Sequence, residues 1–313
     1  MEGLVLQTTG NDYVVKAGGE IYRCHLKGSF KQEGIRTTNP VAVGDRVHFE
    51  LPLGEEEWCW ITEILPRKNY IIRRSSNLSK QGQIIGANLD RAFVVATVNY
   101  PVTSTTFVDR FLATCEAYDV PGGIILNKVD RYSRCEMKEA ESLAALYRRI
   151  GYRTFLVSAL DGSGLPELAE EVSAGITLLS GHSGVGKTSL INALVPGIGR
   201  KTQEISEANN SGVHTTTYSE MIPLPGASGA YLIDTPGVRG FGTLDFEREK
   251  AGHYFPDLFA LSAGCRFHNC THTHEPGCAV LRACEEGSLP LSRYKSYLNV
   301  LTEDDEEKYR APY

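Results

Sequence analysis

Two loop motifs that normally frame one nucleotide pocket occur in this chain in inverted order. Asn127-Lys128-Val129-Asp130 comes first, directly after the apolar run Gly123-Ile124-Ile125-Leu126. The glycine-rich segment Gly181-His182-Ser183-Gly184-Val185-Gly186-Lys187-Thr188 comes later, after Ile176-Thr177-Leu178-Leu179 and before the helix-like Thr188-Ser189-Leu190-Ile191-Asn192-Ala193-Leu194. If both loops serve one site, the strands that carry them must be joined in permuted sequence. That requirement excludes most simple α/β topologies.

The later segment fits the phosphate-loop pattern G-x-x-x-x-G-K-[ST] in its required strand–loop–helix setting. Glycines let backbone N–H groups wrap phosphates, and the helix N-terminus adds partial positive charge. Lys187 is expected to reach the β- and γ-phosphates, and the Thr188 hydroxyl to hold Mg²⁺. Gly181, His182, Ser183, Gly184, Val185 and Gly186 supply the cradle.

The earlier motif has the chemistry to select guanine. A carboxylate at Asp130 can accept from the guanine N1 and N2 groups, a donor pair adenine lacks. Lys128 can cover the base, and Asn127 begins the motif at the end of a buried strand. Ser158-Ala159-Leu160 follows another strand and fits a supporting guanine loop. Asp234-Thr235-Pro236-Gly237 follows Ala230-Tyr231-Leu232-Ile233 and matches D-x-x-G: Asp234 approaches Mg²⁺ through water, and the Gly237 amide senses the γ-phosphate. Between the phosphate loop and this motif, residues 197–217 are polar, as a switch requires. Thr216, with Thr215 beside it, is the candidate that completes the Mg²⁺ shell. Val238 stands where many small GTPases carry a water-orienting glutamine, so His214 is the candidate water acceptor. GTP and GDP are the expected substrate and product.

Around these motifs, apolar strand-like runs alternate with helical patterns from Asp90 onward. Helices are expected over 103–118 and 135–149, the latter closed by Gly151. This alternation predicts a parallel α/β sheet. Before it, Tyr13–Val15, Ile21–Leu26, Val47–Leu51 and Trp58–Ile61 read as short strands punctuated by turns. About five strands in this length predict a small barrel of OB type.

The eight cysteines are unevenly spread, with Cys265, Cys270, Cys278 and Cys284 clustered. Cys265, Cys270, His272 and Cys278, spaced C-x4-C-x-H-x5-C, suit a closed tetrahedral Zn²⁺ site. On chemistry alone His268 or His274 could replace His272, and Cys284 is expected to pack. Beyond the cluster, Leu291, Tyr294, Leu298 and Leu301 share one helical face, and Glu303–Glu307 form a solvated acidic run.

The formal net charge of −6 gives no global basic signature for nucleic acid. Arg67-Lys68, Arg73-Arg74 and Lys80 form a local basic stretch that could track phosphates. No apolar stretch approaches the roughly 18 residues that span a bilayer, and Met1–Val5 lacks a basic start before an apolar run. A cytoplasmic protein without a membrane partner is expected.

The combination resembles the circularly permuted, small-ribosomal-subunit-dependent GTPases of bacterial ribosome biogenesis. The resemblance is carried by Val43-Gly44-Asp45-Arg46-Val47, by the order Asn127–Asp130, Gly181–Thr188, Gly212–Thr217, Asp234–Gly237, and by Cys265…Cys278 with Glu275-Pro276-Gly277-Cys278. It implies an OB-like N-terminal β-barrel (1–66), a circularly permuted α/β P-loop GTPase (67–245) and a zinc-binding helical domain (246–313). It further implies a monomer that binds the small subunit and its rRNA late in assembly, with hydrolysis stimulated by that subunit. Gly184 stands where some related GTPases place an asparagine to bind K⁺, so the sequence carries no claim of potassium dependence.

Overall fold

The computed structural model describes residues 1–27, 39–52, 57–74, 82–200, 219–226, 229–235 and 248–302. Its first five strands close on themselves: β1 (Glu2–Thr9), β2 (Asp12–Ala17), β3 (Glu20–Leu26), β4 (Arg46–Glu50) and β5 (Cys59–Ile64). They run in the order β1-β2-β3-β5-β4, and β1 returns to pair with β4. The β3–β5 pairing is parallel and the others antiparallel, as in an OB barrel. Alternation fills the barrel: Val5, Val15, Cys24, Val47, Phe49 and Ile61 all point into its core. β1 was not among the strands read from sequence, yet it closes the barrel.

A hairpin follows, β6 (Tyr70–Arg74) with β7 (Gly82–Ala87). Arg73 and Arg74, read above as part of a basic stretch, therefore belong to a strand. Lys80 lies outside the described residues. Arg67 is engaged elsewhere: its guanidinium donates to both oxygens of the fully buried Asp45 at 2.6 Å, and to the Pro40 carbonyl at 2.7 Å. Lys68 pairs with Asp90. Arg67 is a buried structural cation, and that part of the phosphate-tracking expectation falls.

The α/β layer comprises β8 (Arg91–Ala96), α1 (Thr105–Ala117), β9 (Gly122–Leu126), α2 (Arg134–Ile150), β10 (Arg153–Leu156), α3 (Leu165–Glu171), β11 (Ile176–Ser180), α4 (Lys187–Leu194), β12 (Glu220–Pro223) and β13 (Tyr231–Asp234). Its strand order is β10-β9-β8-β11-β13-β12. All neighbours are parallel except β12, antiparallel to β13. β8, β9, β11 and β13 are buried on both faces, which is why they read as unbroken apolar runs. One face packs on α1 and α2 through Phe111, Leu112, Ala140 and Ala144, the other on α3 and α4 through Leu168, Leu190 and Ile191.

Local signals set the helix ends. Ser104 caps α1 through the Phe107 N–H, and Ser133 with Glu136 forms a reciprocal capping box on α2. Gly151 ends α2 at φ 116°, a left-handed value glycine adopts without strain. Two seams join these parts. β12 pairs with β1 at Glu220 and Gln7, so barrel and α/β strands form one continuous hydrogen-bonded array.

At the other seam lie α5 (Pro256–Ser262), α6 (Ala279–Glu285) and α7 (Leu291–Thr302), with α7 packed along α1. Tyr294, Leu298 and Leu301 face the core there, while Leu291 is exposed. The acidic run from Glu303 lies outside the described residues. No helix of the described residues is long and apolar enough to cross a membrane.

Candidate functional site

The parallel sheet brings the two motifs together despite their separation in sequence. β11 lies beside β8, and β8 beside β9, so the loops leaving β9 and β11 emerge at the same sheet edge. There Asn127 Nδ2 donates to the Val185 carbonyl at 2.9 Å, and Lys128 Nζ donates to the Gly184 carbonyl at 2.6 Å. The Asn-Lys-x-Asp loop is thus hydrogen-bonded to the phosphate loop. Lys128 holds a left-handed backbone (φ 67°), and its ammonium also reaches the Tyr100 carbonyl. Burial lowers its pKa, with Arg131 adding to the fall and Asp130 opposing it.

Gly186 shows why this approach needs glycine. It sits at φ 93°, and a Cβ there would lie 2.4 Å from Asn127 Nδ2. Any side chain would wedge the two loops apart.

The Asp130 end of the site is organised by Ser158. Its hydroxyl donates to Asp130 Oδ1 at 2.6 Å and accepts from the N–H groups of Leu160 and Asp161 at 3.2 Å. The Ala159 N–H donates to Asn127 Oδ1 at 3.2 Å. Asp130 is exposed at the loop surface, with its orientation fixed on one oxygen. A base edge can meet the carboxylate without disturbing the fold. Tyr132, not singled out from sequence, braces the motif from behind: its hydroxyl donates to the Asn127 carbonyl and accepts from the Val98 N–H.

At the phosphate end, Lys187 is buried and its ammonium donates to the carbonyls of Gly181 (2.7 Å) and His182 (3.1 Å). Burial lowers its pKa to about 8, with Asp234 pulling it upward. Thr188 lies in the first turn of α4. Asp234 ends β13, almost fully buried, and the Thr235 hydroxyl donates to the Leu179 carbonyl, fastening β13's exit to β11. Two further residues come from outside the motifs. The His182 ring stacks on Phe107 of α1, centroids 3.7 Å apart, and Arg200 donates to Asp234 Oδ2 at 2.9 Å. Neither contact carries a local sequence signal. His214, Thr216 and Gly237 lie outside the described residues.

In the C-terminal region, one ligand atom each from Cys265, Cys270, His272 and Cys278 falls within 4.8 Å of the others. His272 Nδ1 lies 3.6 Å from the Cys265 sulfur and 3.4 Å from that of Cys278. Three sulfurs and one imidazole nitrogen converging in this way fit a closed tetrahedral Zn²⁺ site. Chemistry alone left three histidines open, and the geometry turns His272 inward at φ 57°. Tyr294 and Tyr297 of α7 donate to the carbonyls of His272 and Thr271, supporting the loop. Glu275 accepts from the Thr271 hydroxyl and from the N–H groups of Thr271, Thr273 and His274. Burial raises its carboxyl pKa, but the bonds led by the Thr271 hydroxyl outweigh it and hold the carboxyl far below the usual range. Cys284 packs in the adjoining apolar cluster.

Residues 64–244 match the RsgA GTPase family, and residues 2–58 match the RsgA N-terminal domain. The chain belongs to the RsgA GTPase family. It is accordingly a GTP hydrolase, with GTP as substrate and GDP as product. Among its relatives is the small ribosomal subunit biogenesis GTPase RsgA of Bacteroides fragilis, 57% identical with all of both chains covered. The protein of that name from Porphyromonas gingivalis is 52% identical over the full length of both. Two solved structures share the architecture. YjeQ from Thermotoga maritima superposes with a TM-score of 0.73 at 30% identity, covering 97% of this chain and 99% of its own. YloQ, a circularly permuted GTPase, gives 0.71 at 30% identity over 99% and 96%. The inverted motif order is therefore a permuted GTPase fold, as the sequence predicts.

Proposed function

We propose that this GTPase acts on the small ribosomal subunit, binding it late in assembly and hydrolysing GTP under its stimulation. The observation that carries the proposal is the direct hydrogen bonding of Asn127 and Lys128 to the phosphate loop. It occurs in a chain that aligns end to end with relatives named for small-subunit biogenesis. In this reading Asp130 accepts from guanine N1 and N2, Lys128 covers the base, and Ser158 with Ala159 hold that loop in shape. Lys187 exchanges its carbonyl partners for the β- and γ-phosphates, and the loop amides from Gly181 to Gly186 receive the remaining oxygens. Thr188 and a switch threonine, Thr216 in preference to Thr215, would hold Mg²⁺ with Asp234 acting through water, and the Gly237 amide would sense the γ-phosphate. Mg²⁺, when bound, offsets negative charge on the transferring phosphoryl oxygens. His214 accepts a hydrogen bond from the attacking water.

The parts divide as a barrel (1–66), a permuted GTPase (67–245) and a zinc domain (246–313). The outer two contact the subunit and its rRNA. The zinc site has four protein ligands and no open position, so its role is structural. The protein works in the cytoplasm as a monomer.

Comparing GTP turnover alone, with small subunits, with large subunits and with free RNA tests the central claim. Acceleration by small subunits only is the expected result. Equal acceleration by free RNA would instead make the protein a general RNA-dependent switch. His214→Ala is expected to lower turnover far more than GTP affinity, and parallel loss of both rejects its water-orienting role. Asp130→Asn should abolish preference for GTP over other purine nucleotides in competition binding. Zinc is checked by elemental analysis, with about one Zn²⁺ per chain expected and loss of that metal in Cys270→Ser.

A further inference from the structure

Arg200 lies shortly after the end of α4. Its backbone is pinned before its side chain acts. Asn192 Nδ2 donates to the Arg200 carbonyl at 2.8 Å, and Asn192 Oδ1 accepts from the Arg200 N–H at 3.1 Å. The guanidinium then divides between two carboxylates. Nη1 donates to Asp234 Oδ2 at 2.9 Å, and Nη2 donates to Glu220 Oε2 on β12. Arg200 is 18% exposed and Asp234 only 1%, whereas Glu220 is 43% exposed. The Asp234 prong is shielded from solvent and the Glu220 prong is wet. Lys187 is the second cation near Asp234, but its ammonium is directed at the Gly181 and His182 carbonyls.

Asp234 is also the carboxylate that the D-x-x-G loop offers to magnesium. Its carboxylate oxygens suit a hard, hydrated cation. A guanidinium on Oδ2 and a magnesium-bound water make rival demands on this one carboxylate. The guanidinium neutralises its charge and occupies an oxygen, and at low solvent exposure the two cations repel each other with little screening.

We propose that Arg200 is a positioning residue that competes with Mg²⁺ for Asp234, so that magnesium engagement requires its guanidinium to hand over to Glu220. The handover stays on the protein because Glu220 already holds the other prong. It also ends on the strand that pairs with β1 at Gln7, so the charge shift falls at the seam with the barrel. Arg200 thereby sets how much Mg²⁺ is needed to retain nucleotide. This inference rests on the magnesium-dependent nucleotide site proposed above.

The test is the release rate of fluorescent GDP from the full-length protein across a buffered Mg²⁺ series, with no subunits and no turnover. Arg200→Ala is expected to lower the Mg²⁺ concentration for half-maximal retention on the order of tenfold, within the usual range for coupled ligands. Arg200→Lys keeps the charge without the fork and should fall between Arg200→Ala and the wild type. Glu220→Gln weakens the receiving partner and should move the midpoint the other way. An unchanged or raised midpoint in Arg200→Ala overturns the competition, and a Glu220→Gln shift in the same direction as Arg200→Ala overturns the handover. Should Arg200→Ala fail to fold, Arg200→Lys and Glu220→Gln decide the matter by the same signs. If Mg²⁺ does not slow GDP release from the wild type, the magnesium site itself is wrong.

Discussion

Arg67 and Arg293 are both buried guanidiniums gripping aspartates, yet Arg67 reaches Asp45 across 22 residues and Arg293 reaches Asp109 across 184. The first contact is local. Asp45 also accepts from the Ala42 N–H, so it keeps a partner if the arginine goes. The second joins three elements: Arg293 on α7 donates to Asp109 on α1 at 2.5 Å and forks onto Asp257 of α5 at 2.9 and 2.7 Å. Tyr147 of α2 also donates to Asp109, and the guanidinium lies over the rings of Phe255 and Tyr147. Burial pushes the Asp109 carboxyl up, and Arg293 does most to draw it back. The same chemistry thus shapes the loop before β4 in the barrel and, at α7, mounts a whole helical unit on the α/β layer. Each aspartate keeps another donor if its arginine goes, so what differs is reach: only Arg293 ties together elements far apart in sequence.

Arg293→Met should therefore be the most damaging change. Removing one partner of a buried pair costs about 3–5 kcal/mol, readable by urea unfolding. Hydrogen exchange should rise along α5–α7 while the barrel stays protected. Replacing Arg293, Asp109 and Asp257 together by apolar residues should recover much of that loss, because no buried charge remains unpaired. Arg67→Met should cost about 3 kcal/mol, the lower end of the same range, with increased exchange confined to residues 39–52 and the strands beside them. An equal effect at both arginines would break the contrast. Tyr147→Phe removes only the hydroxyl that Asp109 accepts, and about 2 kcal/mol is expected for a bond to a charged group. Lys68→Ala breaks the half-exposed pair with Asp90 and should cost below about 1 kcal/mol. A thermal melt distinguishes this small shift from the larger ones.

Legibility in the sequence followed the range of the interactions. β8, β9, β11 and β13 were readable because buried parallel strands are continuous apolar runs, and α2 carried its own cap and terminator. β1 was missed because closing a barrel is a property of its partners, not of Glu2–Thr9 alone. Arg67 and Lys68 suggested a phosphate track because charge is visible in sequence whereas the carboxylate that takes it is not. α5 and α6, seven residues each, are too short for a helical period to declare itself. At the site, the motif residues were legible by type and spacing. Tyr132, Phe107 and Arg200 were not, since each acts through contacts set by the tertiary fold.

The pairing of β12 with β1 has one more effect. An open sheet margin invites strands from other molecules to add on, and here one margin of the α/β layer is sealed by the barrel. The opposite margin is β10, a strand of four residues with the exposed charge of Arg153 at its start. A short, charged border of this kind is a poor template for a neighbouring chain, which helps to keep the molecule from self-associating through its sheet at high concentration.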